Sequence, residues 1–361
     1  MSLAEGSIRP ATVLFILATG LLLAGAPGRS GAAVAGGGSV AKPPGLLSQT
    51  GLYSGHTTEV SGRNLAYSPQ YPLWSDGAKK SRWIYLPPGS RIGARNTDAW
   101  AFPVGTKLWK EFAFGEKKVE TRFLWRAAAG CWVFATYLWN DEQSDAILAP
   151  QDGVPEYREI VPGKRHSIPG VKDCRDCHED ERTPVLGFNA LQLSTDRDPL
   201  APNAEPLKPG MVTLETLVER GLLSPARRDL LEQPPRIRSD NPRTRAALGY
   251  LSSNCGSCHS AKGSLAFLGL DLLHLSTAKD EATEPGFATT VGRPGKWGVP
   301  GAPIGETRRI EPGAPEKSSV FYRMSSRSGA SQMPPLGTVL VDQKAVDLLR
   351  SWIAEDLRPN P

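Results

Sequence analysis

Long hydrophobic runs and an excess of charge of one sign are both missing from this sequence. The apolar stretch at residues 11–26 has about 16 residues, fewer than the roughly 20 that a membrane-spanning helix needs. The 42 Lys and Arg residues nearly balance the 37 Asp and Glu residues, and the net charge of +5 is dispersed. Such a small charge does not indicate nucleic-acid binding. Gly and Pro are frequent, with 37 and 32 residues, which is typical of a loop-rich protein with many turns.

The N-terminus has the pattern of an export signal. Arg9 precedes the apolar stretch, small residues follow it, and cleavage is expected after Ala26 or Ala35. We therefore expect residues 1–35 to be a signal peptide and the mature protein to lie outside the cytoplasm, without a stable membrane anchor. An uncleaved anchor is the alternative. A lipid anchor at the cleavage region is excluded because no cysteine lies there.

The segment 45–160 has a composition of its own, after a short leader at 36–44. It contains seven of the nine Trp residues and short strand-like runs such as "TKLWKEFAF", "ETRFLW" and "CWVFATYLW", with turn residues between them. Aromatic and β-branched runs separated by turns are typical of hairpins. The segment is predicted to be a Trp-rich β domain, either a sandwich or a small barrel. Cys131, within its last run, is predicted to be a buried core thiol.

Two Cys-x-x-Cys-His units carry the clearest chemical signal in the chain. On the first turns of a helix, two thiols three residues apart lie on one face, and the next residue lies beside them. Both thiols can then bond to one haem while the imidazole binds its iron. A zinc ribbon would need more closely spaced units, and a thioredoxin-like site would need a βαβ context. The pattern thus predicts two covalently bound c-type haems. The units consist of Cys174, Cys177 and His178, and of Cys255, Cys258 and His259.

The second ligand of each iron is less evident. For the second unit, Met333 in "SQMPPLG" is the predicted ligand, since flanking prolines stiffen its loop and His/Met ligation is common in cytochromes. Met324 is its rival, although packing in a helix is the preferred interpretation. For the first unit the candidates are Met211 and His166, with His274 and others more distant. A five-coordinate iron is the remaining alternative.

Several segments resemble a family of exported bacterial di-haem c-type cytochromes. The likeness is carried by "YPLWSDGAKKSRWIYLPPG", "YLWNDEQSDA" and "VLGFNALQLS", and by "NPRTRAALGYLSSNCGSCH" and "MPPLGTVLVDQKAVDLLRSWI" near the C-terminus. The resemblance implies a multi-domain α+β protein. After the β domain, a first haem segment at 161–238 and a class I-like cytochrome c module at 239–361 would follow, both mainly α and loop-rich.

The predicted function is periplasmic electron transfer, with an unidentified redox partner protein or dehydrogenase and no nucleic acid. Two alternatives stay open. An open first haem would suit a di-haem peroxidase or oxidase, and the Trp-rich β domain would suit a ligand-binding module with the haems as reporters. We prefer an electron carrier to an enzyme, because the stretch 179–210 offers no His that would act as a base.

Overall fold

The largest element of the fold is an antiparallel sheet, as seen in a computed structural model that describes residues 41–55, 57–179 and 183–358. Six strands form it in the order β1-β2-β4-β5-β6-β7, while β8 and β9 form a hairpin and β3 and β10 pair in parallel. The strands are β1 (Leu65–Ala66), β2 (Lys79–Tyr85), β3 (Ile92–Gly93), β4 (Lys107–Phe114), β5 (Lys117–Ala128), β6 (Cys131–Trp139), β7 (Ala146–Leu148), β8 (Val154–Val161), β9 (Lys164–Ile168) and β10 (Leu223–Ser224).

Both faces of this sheet are buried, as the alternation along β4 illustrates. Leu108 belongs to a core cluster with the segment 185–230, whereas Trp109 belongs to another with the segment 47–53. Adjacent side chains of a strand point to opposite faces, so one strand contributes to both cores. Leu108 and Trp109 therefore lie on opposite faces of the sheet.

The helices are short and lie mainly in the C-terminal half. The longest, α4, has 13 residues. Asn241 caps it by accepting hydrogen bonds from two backbone amides, and Pro242 occupies the first helical position. The α-helices are α1 (Val171–His178), α2 (Leu214–Glu219), α3 (Asp229–Glu232), α4 (Pro242–Asn254), α5 (Pro285–Ala288), α6 (Ser319–Ser325) and α7 (Gln343–Ser351), and a π-helical turn, Trp352–Asp356, follows α7. Short 3₁₀ turns are Leu47–Thr50, Ala266–Leu268, Glu281–Thr283, Ile304–Glu306 and Pro315–Lys317.

The predicted fold class is wrong in two respects. The Trp-rich segment forms a single six-stranded sheet rather than a sandwich or barrel. Its second face is covered by coil and short helices of the segment 185–230, which strand periodicity cannot reveal. Two mainly α cytochrome c modules are not evident in the described residues either. Frequent Gly and Pro break the chain after residue 161 into helices of 4 to 13 residues.

The described residues belong to one compact unit. The predicted signal peptide at 1–35 and most of the predicted leader at 36–44 lie outside them. Within the described ranges, no helix has the length and apolar character that crossing a membrane requires.

Candidate cofactor site

The two Cys-x-x-Cys-His units, 81 positions apart in the sequence, meet at one cavity. Cys174, Cys177 and His178 line it from α1, and Cys258 lines it from the turn after α4. The side chains of Cys177 and Cys258 are in hydrogen-bonding contact, which together with burial holds the pKa of the Cys177 thiol above its usual range. The cavity has a volume of about 260 Å³.

Helix α1 presents the first unit to the cavity. It begins after Gly170, whose amide donates to the Asp173 carboxylate (2.9 Å). An ion pair between Lys172 and Asp176 (2.7 Å) supports its exposed side. Helix α1 packs against β6. Because Cys174 and Cys177 are three residues apart on the helix, their thiols lie on the same side of it, and both line the cavity.

The imidazole of His178 is held ready to bind a metal through its Nε2 atom. Its Nδ1 atom lies 2.5 Å from the carbonyl oxygen of Pro184. A carbonyl only accepts, so Nδ1 carries the proton and Nε2 keeps its lone pair. The ring lies against Phe134, with centroids 5.4 Å apart. Burial, and then the positive charges of Lys110 and Arg122, lower the pKa of His178 to about 4 against the opposing effect of the Pro184 carbonyl. The neutral form that binds metals therefore prevails at pH 7.

Three cations form a row across the sheet on the wall of the same cavity. Arg82 of β2 is opposite Lys110 of β4, which is opposite Arg122 of β5. Arg82 pairs with Glu205 (2.7 Å) and Arg122 pairs with Glu120 (2.7 Å). Lys110 has no hydrogen-bond or ion-pair partner among the described residues. Burial, and then the charges of Arg82 and Arg122, lower the pKa of Lys110 to about 7.

This row favours a bound anion. Like charges directly opposite each other in a sheet are destabilising, and of the three only Lys110 lacks a carboxylate in an ion pair with it among the described residues. Haem carries two propionate carboxylates, and an apolar ring would contact the remaining wall. The residues present therefore fit haem: two thiols, a neutral imidazole, a cationic row and an apolar surface. That surface includes Leu124, Phe134, Val185, Leu191 and Leu273.

The second unit is more deeply buried. Burial, and then Cys258, raise the pKa of the Cys255 thiol to about 12. His259 is 9% exposed, and its Nδ1 atom has no hydrogen-bond partner in the part of the chain that the structure describes. Burial, and then the charge of Arg323, lower the pKa of His259. The amide of Met333 donates to the carbonyl of the same Arg323 (2.9 Å). Neither His259 nor the predicted ligand Met333 lines the cavity, although the following residues Pro334 and Pro335 do.

The structure does not bring the candidate ligands His166 and Met211 to the cavity. His166 is 1% exposed, and its two ring nitrogens face Asp76 (3.4 Å) and Glu120 (3.0 Å). The sulfur of Met211 accepts a hydrogen bond from its neighbouring backbone at Lys208, 3.4 Å away, and Met211 does not line the cavity.

Three further side chains named from the sequence can be compared with the structure. Met324 is buried in the core formed with α4 and α7, in agreement with the interpretation that it packs in a helix. Cys131 begins β6 and is half-buried, so the expectation of a fully buried thiol is wrong. His274 lines the cavity, although the sequence offered it only as a distant candidate. Its position depends on long-range packing, for which "LDLLHLS" contains no signal.

No protein-family model, no curated protein and no solved structure matches this chain. The family resemblance therefore rests on the quoted motifs. In the described residues there is also no group of three or more His, Cys, Asp or Glu side chains that would bind a bare metal ion.

Proposed function

We propose that this protein is an exported di-haem c-type cytochrome that transfers electrons. The observation that carries the proposal is that Cys258 of the second unit lines the same cavity as Cys174, Cys177 and His178 of the first, in contact with Cys177. Each haem, when bound, would supply an iron that is reversibly oxidised and reduced by one electron. Two haems attached through neighbouring cysteines would lie close together, which favours transfer between them.

The chain itself contributes the fixed surroundings of each haem. The thiols would anchor the porphyrins, and His178 and His259 would bind the irons through nitrogens that burial keeps neutral. The row of Arg82, Lys110 and Arg122 would compensate carboxylate charge. A rigid site with compensated charges changes little on oxidation, which is what an electron carrier requires. The electron donor and acceptor would be a redox partner protein or a dehydrogenase outside the cytoplasm.

The first test is the number of haems attached to the chain. We expect two haems per chain by pyridine haemochrome after expression with a c-type cytochrome maturation system. Cys174→Ala with Cys177→Ala should reduce this number to one, as should Cys255→Ala with Cys258→Ala. Cys131→Ser is the matched control and should retain both haems. A wild-type protein without covalent haem would contradict the proposal.

The second test separates a carrier from a peroxidase. A carrier should be reduced and reoxidised in two one-electron steps in a spectroelectrochemical titration, without turnover of hydrogen peroxide in the presence of a reductant. Sustained peroxide consumption that depends on the first haem would favour the enzyme instead.

A further inference from the structure

The cavity that His178 lines contains a second imidazole, that of His274. His274 is 8% exposed and lines the cavity together with Cys174 and Cys177. Its backbone amide donates to the hydroxyl of Ser252 on α4 (3.0 Å). This bond fixes the segment that carries His274 to the helix that leads into the second unit.

A buried carboxylate holds the ring of His274. Its Nδ1 atom lies 3.0 Å and 3.2 Å from the two oxygens of Glu284, which is 1% exposed. Glu284 also accepts a hydrogen bond from the amide of Arg238 (2.6 Å), so the carboxylate is itself fixed. Because an ionised carboxylate only accepts, Nδ1 is the donor. The Nε2 atom has no hydrogen-bond partner in the described ranges.

This arrangement matches that of a metal-binding histidine. Such histidines almost always donate from one ring nitrogen to a carboxylate or a carbonyl, which orients the ring and makes the other nitrogen a better ligand. His178 donates from Nδ1 to the carbonyl of Pro184, and His274 donates from Nδ1 to the carboxylate of Glu284. His166 differs from both, because both of its nitrogens are occupied.

The amine of Lys110, on β4 between Arg82 and Arg122, also lines the cavity. No hydrogen bond fixes that amine among the described residues, whereas the Glu284 carboxylate fixes the ring of His274. His274 is therefore the better positioned ligand.

We infer that His274 supplies the second axial ligand of the iron whose first ligand is His178. The inference rests on the proposed function. It gives the first haem two imidazoles and leaves His/Met ligation to the second site with His259 and Met333. Since Met raises the potential of a haem relative to His, the first haem would have the lower potential. Electrons would then enter at the first haem and leave from the second.

The test is the spin state of the oxidised holoprotein, measured by electron paramagnetic resonance and by visible absorption. In the wild type both haems should be low-spin. In His274→Ala one haem of the two should become high-spin, and added imidazole should return it to low spin. His274→Met should keep both haems low-spin and raise the lower of the two potentials.

The matched control is Met211→Leu, which removes the rival ligand predicted for the first iron. Met211 does not line the cavity, so this variant should leave both haems low-spin. Two outcomes would overturn the inference: two low-spin haems in His274→Ala without imidazole, or a high-spin haem in Met211→Leu. The haem count of each variant separates these outcomes from failure of the proposed function, which would show as missing covalent haem. If His274→Ala does not mature, His274→Met decides, because an unchanged lower potential would also overturn the inference.

Discussion

At the scale of single residues, Lys110 is an unusual side chain of the described sheet. It is flanked by two arginines on neighbouring strands, and no carboxylate forms an ion pair with it among the described residues. The side chain is half-buried, and a charge that is partly removed from water without a partner is costly. The cavity in front of it supplies such a partner if a carboxylate-bearing group occupies that space.

Lys110→Gln should lower the reduction potential of the first haem. A nearby positive charge favours the reduced iron, which has one positive charge fewer. A unit charge about 10 Å away at an effective dielectric constant near 20 contributes about 1.7 kcal/mol, or roughly 70 mV. A decrease of that order should appear in a spectroelectrochemical titration. Lys117→Gln, on an exposed position of β5 in the same sheet, is the control and should change nothing.

The contact between Cys177 and Cys258 can be tested in the protein without haem. In a variant with Cys174→Ser and Cys255→Ser, the oxidant diamide should accept two electrons and two protons from these thiols and leave a disulfide between them. Peptide mapping by mass spectrometry should find this link, with Cys131 as a free thiol. Links that involve Cys131 instead would contradict the observed convergence.

Much of the site at this scale could be predicted from local spacing. The two Cys-x-x-Cys-His units indicate which thiols and imidazoles belong together, because a helix fixes that geometry locally. The cationic row and His274 could not be found in this way. Arg82, Lys110 and Arg122 become neighbours only through strand register, and the role of His274 depends on Glu284 and on packing against α4.

At the scale of elements, the close approach of α4 to the chain around Tyr71 is a fixed point of the fold. A Cβ atom on Gly249 of α4 would lie 2.2 Å from the ring of Tyr71. That ring cannot move freely, because its hydroxyl hydrogen-bonds to the buried Asp198 (3.0 Å). Glycine is needed here for contact rather than for backbone conformation.

Gly249→Ala should therefore destabilise the protein, although alanine favours helix by about 1 kcal/mol. Overpacking of this kind costs about 1–3 kcal/mol, and we expect a net decrease in the free energy of unfolding in urea. Gly62→Ala is the control, since nothing lies within 4 Å of its added Cβ. Equal stability of the two variants would show that the Tyr71 ring can move aside for the added Cβ atom without cost.

A buried charge network joins β5 to β9. Glu120 lies between Arg122 and His166, and His166 also faces Asp76. Burial opposes ionisation of Glu120 most strongly, but Arg122 and His166 overcome it and lower the pKa of Glu120 to about 2. Burial lowers the pKa of His166, yet its bonds to Asp76 and Glu120 raise it overall.

These shifts give stability a defined dependence on pH. The folded pKa of Glu120 lies below its ordinary 4.5, so its contribution is complete above pH 4.5 and is lost as the pH falls towards 2. The contribution of His166 to stability is complete below pH 6.5, its ordinary pKa, and is lost as the pH rises through its raised pKa in the folded protein. Glu120→Gln should lower the free energy of unfolding at pH 7 by about 3–5 kcal/mol.

Urea unfolding at a series of pH values checks this expectation. The loss of stability between pH 4.5 and 2 should be smaller in Glu120→Gln than in the wild type. Glu116→Gln, at an exposed position, should follow the wild type throughout. A variant that loses stability with acid as steeply as the wild type would assign the effect to other carboxylates.

The elements themselves were predictable where their signals are local. The starts of α4 and α7 carry such local signals, since Asn241 and Asp342 accept hydrogen bonds from the free amides of the first turn. The predicted sandwich failed because adjacent apolar residues in "KLWKEFAF" indicate that both faces of the strand are buried, but do not indicate what covers each face. The chain segment around Phe188 covers the face on which a second sheet was expected.

At the scale of the whole molecule, the residues around 70–76 tie the C-terminal part of the chain to the sheet. The amide of Trp74 donates to Asn254 (2.7 Å), and its indole nitrogen donates to the carbonyl of Leu340 (3.0 Å). Asp76 accepts hydrogen bonds from the amides of Val339 and Leu340, both 2.8 Å long. Tyr71 belongs to the core of α4 and α7.

We therefore expect residues 41–361 to unfold in a single transition. Circular dichroism and Trp fluorescence should report the same midpoint in urea. The fragment 239–361 alone should show no cooperative transition, because it loses its contacts with residues 70–76. A fragment that unfolds cooperatively would instead support the predicted domain boundary at residue 239.

The cationic row also bears on the fate of the chain before a cofactor is attached. On the proposed function, the chain leaves the cytoplasm before haem is attached. Glu205 and Glu120 then compensate Arg82 and Arg122, but no carboxylate of the described residues pairs with Lys110 between them. An anion in the cavity would add to the stability of the folded sheet, because a ligand that binds only the folded state stabilises it. A secreted chain that receives no haem would therefore be less stable and more easily degraded by proteases.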